Sequence, residues 1–176
     1  LSVAGTRKID SSKALEMDGR TTALSLTGVA VPDIRKGFTL DLVCKYGAPA
    51  GNNSVSLAYD ALFYAPDSFV LARYQRSFYL LYFDGKKYQR GFLSQPVFDL
   101  KKPETHHVAM TCKYHEAVDQ GEIWTEIQIF VDGKAVVSQK LPKVKLASPG
   151  GAWEFAGSSR FGTPWNFGGK IYGGGY

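Results

Sequence analysis

The sequence has little of what marks several classes of protein. Only 2 of its 176 residues are cysteines, Cys44 and Cys112, so at most one disulfide can form and the chain is not a small disulfide-stapled domain. Its longest apolar run, residues 78–83, has the length of a strand and falls far short of the roughly 20 residues that a membrane-spanning helix needs. We therefore expect no membrane span.

The sequence also lacks any block of like charge. Its 21 Lys and Arg against 16 Asp and Glu give a net charge of +5, but the basic residues occur singly or in pairs. Nucleic-acid binding needs clustered cations, so we expect no nucleic-acid partner. An acidic glycan remains allowed, because the net charge can steer an anionic ligand. The 3 histidines show no metal-ligand spacing, which argues against a zinc site.

What the sequence does contain is a globular composition. Hydrophobic residues make up 44% of the chain, which includes 3 Trp, 10 Tyr and 11 Phe, and this length predicts one domain over residues 1–176. The chain starts at Leu1 without a leader-like apolar segment and ends in three glycines and a tyrosine. We expect a domain excised from a longer multidomain polypeptide, with the other domains as its partners.

Period-two alternation, the pattern of β-strands, runs through most of the chain. Residues 123–131 are the clearest case, with Ile127 and Ile129 on one face and Glu126 and Gln128 on the other. Residues 38–44 and 107–112 alternate in the same way.

About a dozen short strands are predicted in all, at regular spacing. After residue 131, the Asp132-Gly133 pair favours the two-residue turn of a β-hairpin. Residues 77–83 are apolar on both faces, which predicts a central strand. The other predicted strands are residues 14–17, 23–26, 54–58, 68–74, 88–93, 135–138, 152–155 and 170–172. No long helical stripe accompanies them, so we predict an all-β fold, an antiparallel sandwich or barrel.

Five segments follow one another in an order that resembles a known family. They are KALEMDG at 13–19, GFTL at 37–40, HHVAMT at 106–111, IQIFVDGK at 127–134 and FGGKIY at 167–172. Together they resemble the successive signatures of concanavalin A-like, laminin G-like jelly-roll domains. The resemblance implies an antiparallel β-sandwich of two curved sheets packed face to face. Such domains occur in lectins, pentraxins, adhesion proteins, some glucanases, and as accessory modules of secreted glycoside hydrolases including sialidases.

Catalytic patterns are incomplete in this chain. Glucanases of the jelly-roll fold carry three acidic residues on alternate positions of one strand; here Glu122 and Glu126 take the outer positions, but Trp124 takes the central one. The missing charge would help to hold the outer carboxylates in different protonation states. A triad of Asp41, His107 and a serine lacks the strained nucleophile turn, so we expect a surface hydrogen bond for His107. We predict that the chain is not an enzyme; the alternative is that it hydrolyses glycans itself.

Two places in the sequence have the composition of a sugar site, which needs exposed aromatic rings beside planar hydrogen-bonding groups. The last loop, residues 158–167, offers Trp165 as a stacking platform with Asn166 and Arg160 beside it, and loops on a rigid β scaffold often carry binding.

The second candidate is the polar face of the strand at 123–131, where Trp124 stands beside Glu126 and Gln128. Tyr74 is a further candidate for a surface role. The alternative is that the tryptophans fill the core as large buried residues.

Two more expectations come from relatives of the resembled family. Many hold Ca²⁺ with carboxylates and carbonyls, and Asp18 is the matching position here. They often have an acidic residue after the final GKI, where this chain has Tyr172. Pentraxins join two corresponding strands by a disulfide, but Cys44 and Cys112 are displaced along antiparallel strands, which moves them apart. We expect two unpaired, core-facing cysteines.

The sequence thus predicts a non-catalytic, lectin-like carbohydrate-binding module of a secreted or cell-surface protein. It would be an accessory domain of a glycoside hydrolase such as a sialidase, and its net charge favours acidic glycans. The alternative is a protein-binding or spacer domain of an extracellular adhesion protein.

Overall fold

The computed structural model describes residues 14–18, 24–27, 33–46, 59–99, 104–146, 152–158 and 167–175. Within these ranges the chain is built from β-strands and one short 3₁₀ turn, Val118–Gln120. The strands are β1 (Leu15–Asp18), β2 (Leu24–Thr27), β3 (Phe38–Tyr46), β4 (Tyr59–Ala65), β5 (Phe69–Tyr74), β6 (Ser77–Phe83), β7 (Tyr88–Leu93), β8 (Thr105–Ala117), β9 (Glu122–Val131), β10 (Lys134–Pro142), β11 (Ala152–Phe155) and β12 (Gly168–Gly175). None of these segments is a helix that could cross a membrane.

The described strands form two six-stranded sheets, in which every pair of neighbouring strands is antiparallel. Sheet A has the order β1-β12-β3-β8-β9-β10, and sheet B has the order β2-β11-β4-β5-β6-β7. The predicted antiparallel β-sandwich is therefore confirmed.

The strands of sheet A follow the alternation in the sequence. On β9, Thr125, Ile127 and Ile129 are fully buried, and the residues between them are partly exposed. The turn that joins β9 to β10 has positive φ at Asp132 (51°) and Gly133 (79°), as a twist-matched two-residue hairpin requires. The predicted hairpin is confirmed.

The core lies between the two sheets and is rich in aromatic residues. Trp153 is 1% exposed and contacts Phe38 and Phe69 edge-on, so this tryptophan is a core residue. Cys44 and Cys112 are both buried and unpaired, as predicted. Burial raises the pKa of each thiol to about 12, which makes both cysteines small apolar residues in effect.

The structure departs from the sequence prediction mainly in sheet B. β4 was not predicted, and the predicted strand at 54–58 lies outside the described residues. β6 is an interior strand, but it lies next to the edge strand β7 rather than at the centre of its sheet. Its apolar residues on both faces therefore need another explanation, which the outer face of sheet B supplies.

Candidate functional site

The outer face of sheet A is polar, as expected for the solvent side of a sandwich. Its central strands carry Asp41, His107, Thr111 and Gln128 on this face, all partly exposed. The Nε2 atom of His107 lies 3.1 Å from Oδ2 of Asp41, so the surface hydrogen bond predicted for His107 is confirmed.

A second histidine contact lies at one end of the same sheet, between β8 and the β9–β10 turn. Asp132 accepts a hydrogen bond from the backbone N–H of His107 at 2.9 Å and lies 2.7 Å from Nδ1 of His106. Burial acts to raise the pKa of Asp132, but these hydrogen bonds outweigh it and hold the pKa below its usual range. The contact fixes the β9–β10 turn against β8.

Trp124 lies on the outer face of sheet A, but its ring is already in contact with neighbouring side chains. The imidazole of His115 stacks on it, with ring centroids 4.8 Å apart and planes 3° from parallel. The ammonium group of Lys140 lies 4.1 Å from the ring centroid. Since His115 is on β8 and Lys140 on β10, which flank β9, a sugar that stacked on Trp124 would have to displace one of them.

The predicted neighbours of Trp124 are brought together on this face. Glu126 lies 3.1 Å from Nε2 of His115 and accepts a hydrogen bond of 3.3 Å from Nε2 of Gln128. Lys113 and Lys140 are its register partners on the two adjacent strands. Trp124, Glu126 and Gln128 therefore form one connected polar strip, which we call the β9 strip.

The other predicted site residues lie largely beyond what the structure describes. Arg160, Trp165 and Asn166 fall outside the described residues. Asp18 is the last residue of β1, where its backbone pairs with Gly168, and its side chain is not described. In the described part of the chain, no three His, Cys, Asp or Glu side chains come together as metal ligands.

On the outer face of sheet B, apolar residues occupy positions where the outer face of sheet A has polar ones. Ala61, Tyr64 and Val70 form a second buried apolar cluster, separate from the main core, against which Leu81 and Tyr88 pack. Strands of sheet B are therefore apolar on the core side and on the outer side as well. This is why β6 is apolar on both faces without being the central strand.

Three tyrosines on this outer face pack against one another. The rings of Tyr59 and Tyr74 stack with centroids 4.8 Å apart and planes at 22°, and Tyr79 lies 5.3 Å from Tyr59 and 6.4 Å from Tyr74. All three are partly exposed. They come from the adjacent strands β4, β5 and β6, and we call them the tyrosine cluster.

A cation and an apolar side chain border the tyrosine cluster. The strand pairing places Leu93 opposite Tyr79 and Arg90 opposite Leu81 on the same face; Leu93 is 41% exposed, and Arg90 is also exposed. Burial, followed by the phenols of Tyr79 and Tyr74, raises the pKa of Tyr59, and the charge of Arg90 opposes this rise. Aromatic, apolar and cationic groups thus share one surface.

Sequence reasoning found only one member of this surface, Tyr74. Tyr59 begins a strand that was not predicted, and Tyr79 lies in a run that is apolar on both faces. The available signal was that run itself, because apolar residues on both faces indicate a strand whose outer side is covered, either by the chain itself or by a ligand.

No protein-family model and no curated protein sequence matches the chain. Among solved structures, the chain is similar to the CBM40 of the Ruminococcus gnavus IT-sialidase bound to α2,3-sialyllactose, with a TM-score of 0.57 and 12% identity over 90% of this chain and 86% of that one. It is also similar to a second structure of the Ruminococcus gnavus IT-sialidase CBM40, with a TM-score of 0.52 and 12% identity over 92% and 88%. At these identities the likeness establishes the fold.

Proposed function

We propose that the chain is a non-catalytic carbohydrate-binding module that binds sialylated glycans at the outer face of sheet B. The observation that carries this proposal is the tyrosine cluster, three partly exposed rings on a face where alternation calls for polar side chains. Sugars present patches of C–H bonds that pack on aromatic faces, and tyrosine hydroxyls can donate and accept hydrogen bonds with sugar hydroxyls.

The surroundings of the cluster suit an acidic, N-acylated sugar. Arg90 offers the guanidinium that recognises a carboxylate through paired hydrogen bonds, and Leu93 offers apolar surface to an acyl group. The similar module of the Ruminococcus gnavus sialidase is bound to α2,3-sialyllactose, which supports the same ligand class here.

We further propose that the chain is a concanavalin A-like, laminin G-like jelly-roll module of a secreted or cell-surface glycoside hydrolase, such as a sialidase. The likeness to sialidase modules supports this setting. An accessory module increases the effective concentration of substrate at its enzyme. The hydrolase alternative gains no support, because Glu126 is engaged by His115 and Gln128 and Trp124 stands between Glu122 and Glu126.

Two other glycan sites stay predictions. The β9 strip offers Glu126 and Gln128 to sugar hydroxyls, although the ring of Trp124 is in contact with His115 and Lys140. The loop with Arg160, Trp165 and Asn166 remains a candidate from its composition alone. Calcium at Asp18 also stays a prediction; a melting temperature that excess chelator leaves unchanged would contradict a structural ion.

Substitution of one aromatic residue on each sheet distinguishes the two described surfaces. We expect Tyr74→Ala to weaken binding of α2,3-sialyllactose about tenfold or more, because aromatic residues at the centre of a site carry much of the affinity. Trp124→Ala is the matched control on the other sheet, and we expect its affinity to stay within about twofold of the wild-type value. Isothermal titration calorimetry measures both.

The opposite pattern, loss in Trp124→Ala alone, would move the site to the β9 strip. If the wild-type chain binds no class of sugar on a glycan array, the protein-binding or spacer alternative takes over.

A further inference from the structure

A buried ion pair lies on the core side of the strands that carry the tyrosine cluster. Asp60 on β4 and Arg73 on β5 are register partners, and the next register pair along the two strands is Tyr59 and Tyr74. Because side chains alternate between faces, the ion pair points into the sandwich and the tyrosine pair points out of it.

The ion pair is well satisfied. Nε of Arg73 donates to Oδ2 of Asp60 at 2.7 Å, a terminal NH₂ group donates to the same oxygen, and both side chains are 13% exposed. The guanidinium lies 3.9 Å from the ring centroid of Tyr46 on β3, and the backbone N–H of Gly168 on β12 donates to Asp60. The pair therefore connects β4 and β5 to the opposite sheet.

A net contribution to the free energy of unfolding does not explain why this ion pair is buried. Burial raises the pKa of Asp60 above its usual range, and the charge of Arg73 only opposes that rise. The desolvation of two charges commonly offsets their attraction, and a buried ion pair is often matched by apolar residues of similar size. Buried polar groups can instead select one pairing over its alternatives, as a single buried Asn does in coiled coils.

An alternative pairing of β4 can be derived from its register. The strand has a one-residue bulge between Ala61 and Phe63, and Leu62 and Phe63 are consecutive residues of the main core. Without the bulge, the regular ladder would move Asp60 to the outer face opposite Tyr74. A shift of one residue exchanges the two faces of a strand.

The consequence for the tyrosine cluster would be direct, because the same shift would turn Tyr59 into the core. The shift could stay local: beyond the bulge, Phe63 and Tyr64 are held by their pairing with β11. Residues 59–62 would change: Leu62, the extra residue of the bulge, would pair with Ala72 and leave the core, and the loss of its burial opposes the shift.

We propose that the Asp60–Arg73 ion pair is a positioning device for the glycan site, which selects the bulged register of β4 and so places Tyr59 on the outer face against Tyr74. With Arg73 present, Asp60 is paired inside the sandwich. Without it, the carboxylate gains by moving to water, and Tyr59 moves inward. The functional meaning of this device rests on the proposed glycan site, but the register itself does not.

Three variants separate positioning from plain stabilisation. In Arg73→Met the counter-charge is lost, and we expect the nuclear Overhauser effect between the rings of Tyr59 and Tyr74 to disappear and sialyllactose affinity to fall about tenfold or more. Adding Asp60→Leu removes the charge that has to leave the core, so the double variant D60L/R73M regains the ring contact and an affinity within about twofold of wild type. Arg73→Lys keeps a cation and keeps the contact.

Persistence of the Tyr59–Tyr74 contact in Arg73→Met would overturn the inference, and so would its absence from the double variant. If Arg73→Met does not fold, the double variant decides alone: a folded chain with the ring contact supports positioning, and an unfolded chain or one without the contact contradicts it. If the wild-type chain binds no glycan, the proposed function fails while the ring contact still tests the register.

Discussion

Tyr59, Tyr74 and Tyr79 differ from Trp124 in what surrounds their rings. Each tyrosine of the cluster contacts the other two and stays partly exposed. Trp124 is contacted by His115 and Lys140 from the strands on its two sides. Trp124 is partly exposed as well, so the difference at the scale of single residues lies in the neighbours: a sugar on Trp124 would have to displace His115 or Lys140.

Arg90 gives the residue-scale prediction. It is exposed, and within the described ranges no carboxylate lies within salt-bridge distance of it, so its guanidinium can pair with an acidic ligand. We expect Arg90→Gln to reduce affinity for sialyllactose about tenfold to a hundredfold, because hydrogen bonds to charged groups contribute roughly 1.5–3 kcal/mol. Arg90→Lys keeps the charge but not the paired hydrogen bonds, so its affinity should lie between those of the wild type and Arg90→Gln.

The control for Arg90 is a neutral ligand. Lactose binding, where it is measurable, should be unaffected by Arg90→Gln, and the affinity of wild type for sialyllactose should fall more with added salt than that of the variant. Equal losses for neutral and acidic sugars would show that Arg90 supports the site sterically and does not select charge.

At the scale of strands, the sequence predicted sheet A well because that sheet meets the core on one side and water on the other. The alternation of β3, β8 and β9 is directly visible in the residues that are buried. β4 escaped prediction because Leu62 and Phe63 are both in the core and because Ala61 and Tyr64 on the outer side are buried as well. A bulge and a second apolar face together remove the period of two.

The same reasoning explains which part of the candidate site was out of reach. Tyr74 could be suggested as an aromatic residue with a surface role. Trp124, Glu126 and Gln128 could be placed on one face because they lie on one strand. The tyrosine cluster needs the pairing of β4 with β5 and of β5 with β6. That pairing includes a register shift at the bulge, which no local pattern of residues specifies.

The glycines of β12 give the strand-scale prediction. A Cβ added at Gly174 would lie 2.9 Å from the backbone oxygen of Asp41 and 3.2 Å from Leu42 Cδ1, whereas one added at Gly173 would meet nothing within 4 Å. Overpacking against backbone costs typically about 1–3 kcal/mol. We expect Gly174→Ala to lower the free energy of unfolding by about that amount, measured by urea denaturation.

Gly173→Ala is the matched control, one residue away on the same strand. We expect its free energy of unfolding to stay within about 0.5 kcal/mol of the wild-type value. Equal destabilisation by the two substitutions would mean that the pairing of β12 with β3 differs from the one described.

At the scale of the whole molecule, the two sheets present different outer surfaces on one sandwich. The outer face of sheet A carries hydrogen-bonded polar and charged groups. The outer face of sheet B has the partly exposed tyrosine cluster with Leu93 and Arg90 at one side, beside the buried cluster of Ala61, Tyr64 and Val70. The exposed part of this surface, the tyrosine cluster with Leu93 and Arg90, is where a ligand would pack. Under the proposed function, that ligand is a glycan.

Chemical-shift mapping of the ¹⁵N-labelled chain during titration with α2,3-sialyllactose tests the assignment of the glycan to sheet B most directly, because every backbone amide reports at once. The expected result is that the largest shifts occur at Tyr59, Tyr74, Tyr79 and Arg90, with the β9 strip unchanged. Shifts confined to the β9 strip or to residues 159–166, or no shifts at a saturating concentration, would contradict it.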